Sequence, residues 1–62
     1  MENQVLKDKH GHKIGEIKEQ SGKLVIYDSH GHKKGHYDPK TNTTHDDHGH
    51  KTGSGNLLTA LI

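Results

Sequence analysis

The sequence predicts an all-β domain made of repeated β-hairpins around a shared centre, closed by a short apolar C-terminal helical turn. Three observations carry that expectation. First, one octapeptide pattern, D-x-H-G-H-K-x-G, occurs three times without gaps, at Asp8–Gly15, Asp28–Gly35 and Asp46–Gly53. Internal repetition of this kind is the signature of a repeated supersecondary unit. Second, each copy follows a short stretch that suits a strand: Val5-Leu6-Lys7, Val25-Ile26-Tyr27 and Thr43-Thr44-His45. Their β-branched and aromatic side chains fit a half-buried pleated surface. Third, the chain ends in Leu57-Leu58-Thr59-Ala60-Leu61-Ile62, its most hydrophobic stretch.

Taken in order, the first hairpin spans about residues 4–18. Its turn has Asp8 at the first position and Gly11 at the fourth, the preference of a type I turn. The Asp carboxylate can accept hydrogen bonds from turn amides. The glycine takes a left-handed conformation and forms a bulge that matches strand twist. The second hairpin, about residues 23–37, repeats this with Asp28 and Gly31, and the third, about residues 42–54, with Asp46 and Gly49. Counting outward from each turn pairs Asp8 with His12, Leu6 with Ile14 and Val5 with Gly15. It likewise pairs Val25 with Gly35 and Thr43 with Gly53. A glycine inside a strand marks a bend or a close backbone approach, so Gly15, Gly35 and Gly53 are expected where each hairpin bends away from the centre. Between hairpins, Glu19-Gln20-Ser21-Gly22 repeats the acid-x-x-Gly turn logic. Asp38-Pro39-Lys40-Thr41-Asn42 puts Pro at the second turn position, with Asn42 able to go left-handed. In the tail, residues 56–62, Asn56 is a candidate N-cap. The tail is expected to plug the open centre of the hairpins or to contact another chain.

Hairpins carrying D-x-H-G-H-K-x-G, a glycine at each bend and an apolar tail from Leu57 to Ile62 resemble the beta-flower fold, small bacterial domains whose hairpin petals radiate from a shallow symmetric barrel. The resemblance covers roughly Val5 to Ile62 and implies three petals arranged as a shallow barrel or flower. It implies no activity, since the family has none assigned. Its barrel is similar to that of lipid-associated Tubby-type domains, which offers apolar-ligand binding by analogy alone. This chain departs from a fourfold ring in having three clear petals. A fourth would need Ile17 to Val25 to count as a petal, or a second chain.

Composition bounds the function. The chain has 62 residues, 24% of them hydrophobic, with Tyr27 and Tyr37 as the only aromatics and no cysteine. That is one domain with a small core and no disulfide. Leu6, Ile14, Ile17, Leu24, Ile26 and Leu57 to Ile62 are expected to supply the core, and self-association as a homo-oligomer is expected to complete it. The sequence contains no arginine, the residue on which base and phosphate readout leans most, so nucleic-acid recognition is disfavoured. No apolar run approaches the ~20 residues of a membrane span. Ser21, Ser29 and Ser54 lie in turns without a nucleophile elbow, and no carboxylate pair sits in a recognisable cleft, so no enzyme is expected.

The anomaly is eight histidines. Full protonation would move the net charge from +1 to +9, so the electrostatics change strongly between about pH 7 and pH 5. The candidate metal ligands are His10 with His12, His30 with His32, and the densest group, His45, His48 and His50 with Asp46. His36 adjoins the second group and Asp47 the third. A site for zinc or another divalent transition metal needs imidazoles converging at about 2.0–2.1 Å on one ion. It also needs outer partners that orient the rings, a role the repeated Asp–His pairing could fill. No group matches C-x-x-C or H-E-x-x-H. The bland alternative is that these are solvated turn residues copied with the repeat. The expected function is thus a non-enzymatic structural or binding module. Divalent-metal binding through the His-Gly-His tips is the first alternative, and apolar-ligand or membrane-surface binding by the tail the second.

Overall fold

A computed structural model describes residues 3–62. The fold is all-β. Six strands form one antiparallel sheet in sequence order, each beside the next: β1 (Gln4–Lys7), β2 (Lys13–Gln20), β3 (Lys23–Asp28), β4 (Lys33–Asp38), β5 (Thr43–Asp46) and β6 (Lys51–Ser54). A 3-10 turn, Leu58–Leu61, follows.

The three repeat turns have one geometry. In each, the Gly amide donates to the Asp carbonyl, from Gly11 to Asp8 and Gly31 to Asp28 at 3.0 Å and from Gly49 to Asp46 at 3.1 Å. The Asp amide donates to the carbonyl of the second histidine at 2.9 Å in all three. These glycines have φ between 81° and 83°, the left-handed conformation that the bulge requires. Asn42 is also left-handed, at φ 53°. The turn at Ser21-Gly22 departs from expectation. Both residues have positive φ, 54° and 80°, and Gln20 pairs directly with Lys23. This is a two-residue type I′ turn, whose twist matches the strands; Glu19 still accepts a bond from the Gly22 amide at 3.2 Å.

The register beyond the turns also differs. Lys7 pairs with Lys13, but Leu6 pairs with Gly15, leaving Ile14 as a bulge. The same slip makes Ile26 pair with Gly35 past Lys34, and Thr44 with Gly53 past Thr52. So Leu6, Ile26 and Thr44 face the glycines, where Val5, Val25 and Thr43 were expected. The reason is the side-chain period of two. Without the bulge, Leu6 would share a face with Ile14, Glu16 and Lys18. With it, Leu6 joins Gly15, Ile17, Leu24 and Ile26 on one apolar face. Ile14 and Val5 are exposed as a result, at 42% and 56%.

The tail covers that face. Leu58 is fully buried against Ile17 and Ile26, with Leu6, Leu24, Tyr37 and Leu61 around them. The N-cap of the turn is Leu57, which makes no side-chain capping bond, and not Asn56 as expected; Asn56 lies one residue earlier, where its side-chain oxygen accepts from the Leu58 amide at 3.2 Å. Three other tail side chains lie over the three repeat glycines. A Cβ at Gly15 would lie 2.9 Å from Ile62 Cδ1, one at Gly53 would lie 2.7 Å from Leu57 Cδ1, and one at Gly35 would collide with Leu61 Cδ1. The last glycine of each octapeptide is therefore a socket for one tail side chain. Thr44, fully buried, fastens the tail's approach: its hydroxyl donates to the Gly55 carbonyl at 2.7 Å and accepts from the Leu57 amide at 3.0 Å.

Candidate functional site

The histidines divide between two places. Six occupy the hairpin tips. There the Asp carboxylate organises the loop: Oδ1 of Asp8 accepts from the amides of His10 and His12 at 2.8 and 2.9 Å. Asp28 does the same for His30 and His32, and Asp46 for His48 and His50. For Asp28 and Asp46 these amide bonds, led by those from His32 and His50, hold the carboxyl below its usual pKa. The other carboxylate oxygen faces the second imidazole. Nδ1 lies 3.7 Å from Oδ2 in the Asp8–His12 and Asp46–His50 pairs and 3.6 Å in Asp28–His32. The expected Asp–His pairing is thus present in every repeat, at a distance suited to an ion pair when the ring is protonated.

Each tip also brings its two rings together. Centroids are 6.2 Å apart for His10 and His12, 6.1 Å for His30 and His32, and 6.3 Å for His48 and His50. The second ring of each pair is 75–81% exposed. Asp47 approaches His48 Nε2 at 3.6 Å in the third tip. Among the described residues, no three His, Asp or Glu side chains form a group that could hold a metal ion. Each tip therefore presents a pair of imidazoles, and the third does not gather His45 with His48 and His50.

His45 belongs to the second place, the sheet face opposite the tail. It pairs across the β4–β5 ladder with His36, and the rings stack with centroids 5.1 Å apart and an interplanar angle of 13°. His45 Nδ1 is buried and has no hydrogen-bond partner. Burial lowers the His36 pKa, helped by the positive surroundings of His45, Lys23 and Lys33. Sequence proximity groups His36 with His30 and His32, and His45 with His48 and His50. Strand pairing joins them to each other instead, and the alternation of His36 and His45 with the inward Gly35 and Thr44 is the signal that could have found it.

On the same face Lys18 lies over the Tyr27 ring, its Nζ 5.5 Å from the centroid. Gln20 donates to the Tyr27 hydroxyl at 3.0 Å. Tyr37, on the tail side, packs against the core and donates to Asn42 Oδ1 at 2.8 Å. No helix among the described residues is long and apolar enough to cross a membrane. No family model matches the chain, and neither do curated proteins or solved structures.

Proposed function

We propose that this chain is a non-enzymatic binding module whose hairpins display three imidazole pairs to divalent transition-metal ions such as zinc, nickel or copper. One observation carries the reading: three separate loops hold two histidine rings at 6.1–6.3 Å, each beside an Asp oxygen in the same arrangement. Two imidazoles bound tetrahedrally to one zinc have centroids about 5 Å apart, given metal–nitrogen bonds of about 2.0–2.1 Å. Closing the remaining gap of about 1 Å needs only small side-chain rotations, and the exposed rings are free to make them. The Asp carboxylate beside Nδ1 supplies the outer partner that orients a ligating ring through its other nitrogen.

Two protein ligands leave a tetrahedral ion half coordinated. The reading therefore includes self-association, with a tip of a second chain supplying the other two ligands. It also accommodates the beta-flower arrangement, with the three hairpins as petals. The sheet has open edges at β1 and β6, and open edges are templates for pairing with another chain. The tail contributes differently from a membrane anchor, because Leu58 and Leu61 are spent on the core.

Zinc titration followed by calorimetry, with solution mass measured before and after a chelator, tests this. Expected are heat of binding, a rise in mass with zinc, and reversal by the chelator. Asn substitution at His12, His32 and His50 together should abolish all three effects. No heat and an unchanged mass would remove the reading.

A further inference from the structure

The face opposite the tail carries a groove that the tip histidines do not use. It is lined by Gln20, Ser21, Lys23, Val25, Lys33 and His36, has a volume of about 270 Å³ and opens to solvent. Its lining holds two ammonium groups, an amide, a hydroxyl and an imidazole, with no carboxylate. Val25, 6% exposed, contributes apolar surface to it.

The lysines around it are not equivalent. Lys13 and Lys18 share the Glu16 carboxylate at 3.6 Å, and Lys34 reaches Asp28 at 3.7 Å. Lys23 and Lys33 make no ion pair among the described residues. They come from different strands, β3 and β4, and both act on His36, whose depressed pKa follows first from burial and then from the positive charge of His45, Lys23 and Lys33, with Asp38 opposing. The groove is thus a concave surface with unneutralised positive charge and several hydrogen-bond donors. Sites of this make-up bind groups that bring negative charge and acceptor oxygens.

We propose that this groove binds a small organic oxyanion, one bearing a phosphate or carboxylate group, with Lys23 and Lys33 as its counter-charges and Ser21 and His36 as hydrogen-bonding groups. Lysine is a point charge on a flexible stem. Both anion shapes therefore suit it, whereas the planar fork of arginine would favour a carboxylate or phosphate held in one fixed orientation. The apolar floor at Val25 would take the carbon portion of the ligand.

The test follows the ring proton resonances of His36 during titration with inorganic phosphate and, separately, with succinate. A chelator is kept present throughout, so that metal at the tips plays no part. A saturable shift with phosphate, succinate or both supports the site and identifies which oxyanion it takes. The double variant Lys23→Gln with Lys33→Gln should weaken that binding at least about fivefold. The control double variant Lys7→Gln with Lys9→Gln removes the same charge from the first hairpin and should leave it unchanged. Circular dichroism confirms that both variants are folded. No saturable shift with either anion would overturn the proposal, as would equal weakening by the two double variants, which would mark simple charge screening. Neither result bears on zinc binding at the tips.

Discussion

Alanine at the three socket glycines gives a graded test of how the tail docks. None of Gly15, Gly35 and Gly53 has a positive φ, so their backbones accept alanine and the cost lies in what the new methyl meets. At Gly53 it meets only Leu57 Cδ1, 2.7 Å away. A leucine methyl at the end of a side chain can swing aside, and β6 is an edge strand with no backbone beyond it. At Gly15 the methyl would lie 2.5 Å from the Tyr27 carbonyl oxygen as well as 2.9 Å from Ile62 Cδ1. At Gly35 it would strike both the His45 carbonyl oxygen and Leu61 Cδ1. A carbonyl inside a ladder cannot move without disturbing the strand pairing. Overpacking a filled site costs about 1–3 kcal/mol, and replacing glycine recovers about 0.4–1 kcal/mol from the unfolded chain. Gly53→Ala should thus fall within about 1 kcal/mol of the parent, and Gly35→Ala should lose about 2 kcal/mol. For a domain of this size a loss of 1 kcal/mol lowers Tm by about 4–8 °C. Thermal melts of the three variants, with urea denaturation for the free energies, read the order directly. Adding Leu61→Ala to Gly35→Ala should leave the carbonyl part of the penalty in place. If Gly35→Ala proved as mild as Gly53→Ala, the socket account would be wrong.

Three further outcomes follow from the same geometry. Leu58→Ala removes the one tail side chain that is fully buried in the core. It should cost about 2–5 kcal/mol, enough to leave much of the chain unfolded at 37 °C by circular dichroism. Thr44→Val keeps the shape but strands the Leu57 amide and the Gly55 carbonyl; a loss of about 1–3 kcal/mol is expected, read as a lower urea midpoint. The depressed pKa of His36 sets a pH dependence. Above the unfolded value of about 6.5 both states are neutral and stability is unaffected. As pH falls below it, the unfolded chain takes up the proton first and stability drops, until the folded-state pKa is passed. Melts between pH 7.5 and 5 should show this decline, and His36→Gln should lessen it. An unchanged slope in that variant would refute the assignment.

Much of the fold was legible in the sequence because the turns are local. Asp8, Gly11 and His12 close their loop within five residues, and three copies of the pattern leave little ambiguity. The left-handed glycines, the Asp–amide bonds and Asn42 were all readable from chemistry within one turn. Register two residues further on was not. It depends on which face must be apolar, and that is settled by Ile17 and by Leu58, a distant residue. Val5 and Ile14 carry the right side chains for a core, yet the bulge turns them outward. Thr44 reads as a strand surface residue, and only the approach of Gly55 and Leu57 makes it a core hydrogen-bonding group. The same separation explains the site. Paired tip histidines could be read from neighbouring positions, whereas the His36–His45 stack and the groove beside it exist only once β3, β4 and β5 are aligned.

The sockets also dictate an order of assembly. The six strands precede the segment that roofs them, so every hairpin emerges from the ribosome ahead of Leu57 to Ile62. Until then Leu6, Ile17, Leu24 and Ile26 stand bare on one side of a sheet whose two margins are unpaired. A chain truncated after Ser54 would be a sticky ribbon, and restoring Leu57 to Ile62 would cover its apolar side by seating side chains on all three hairpins.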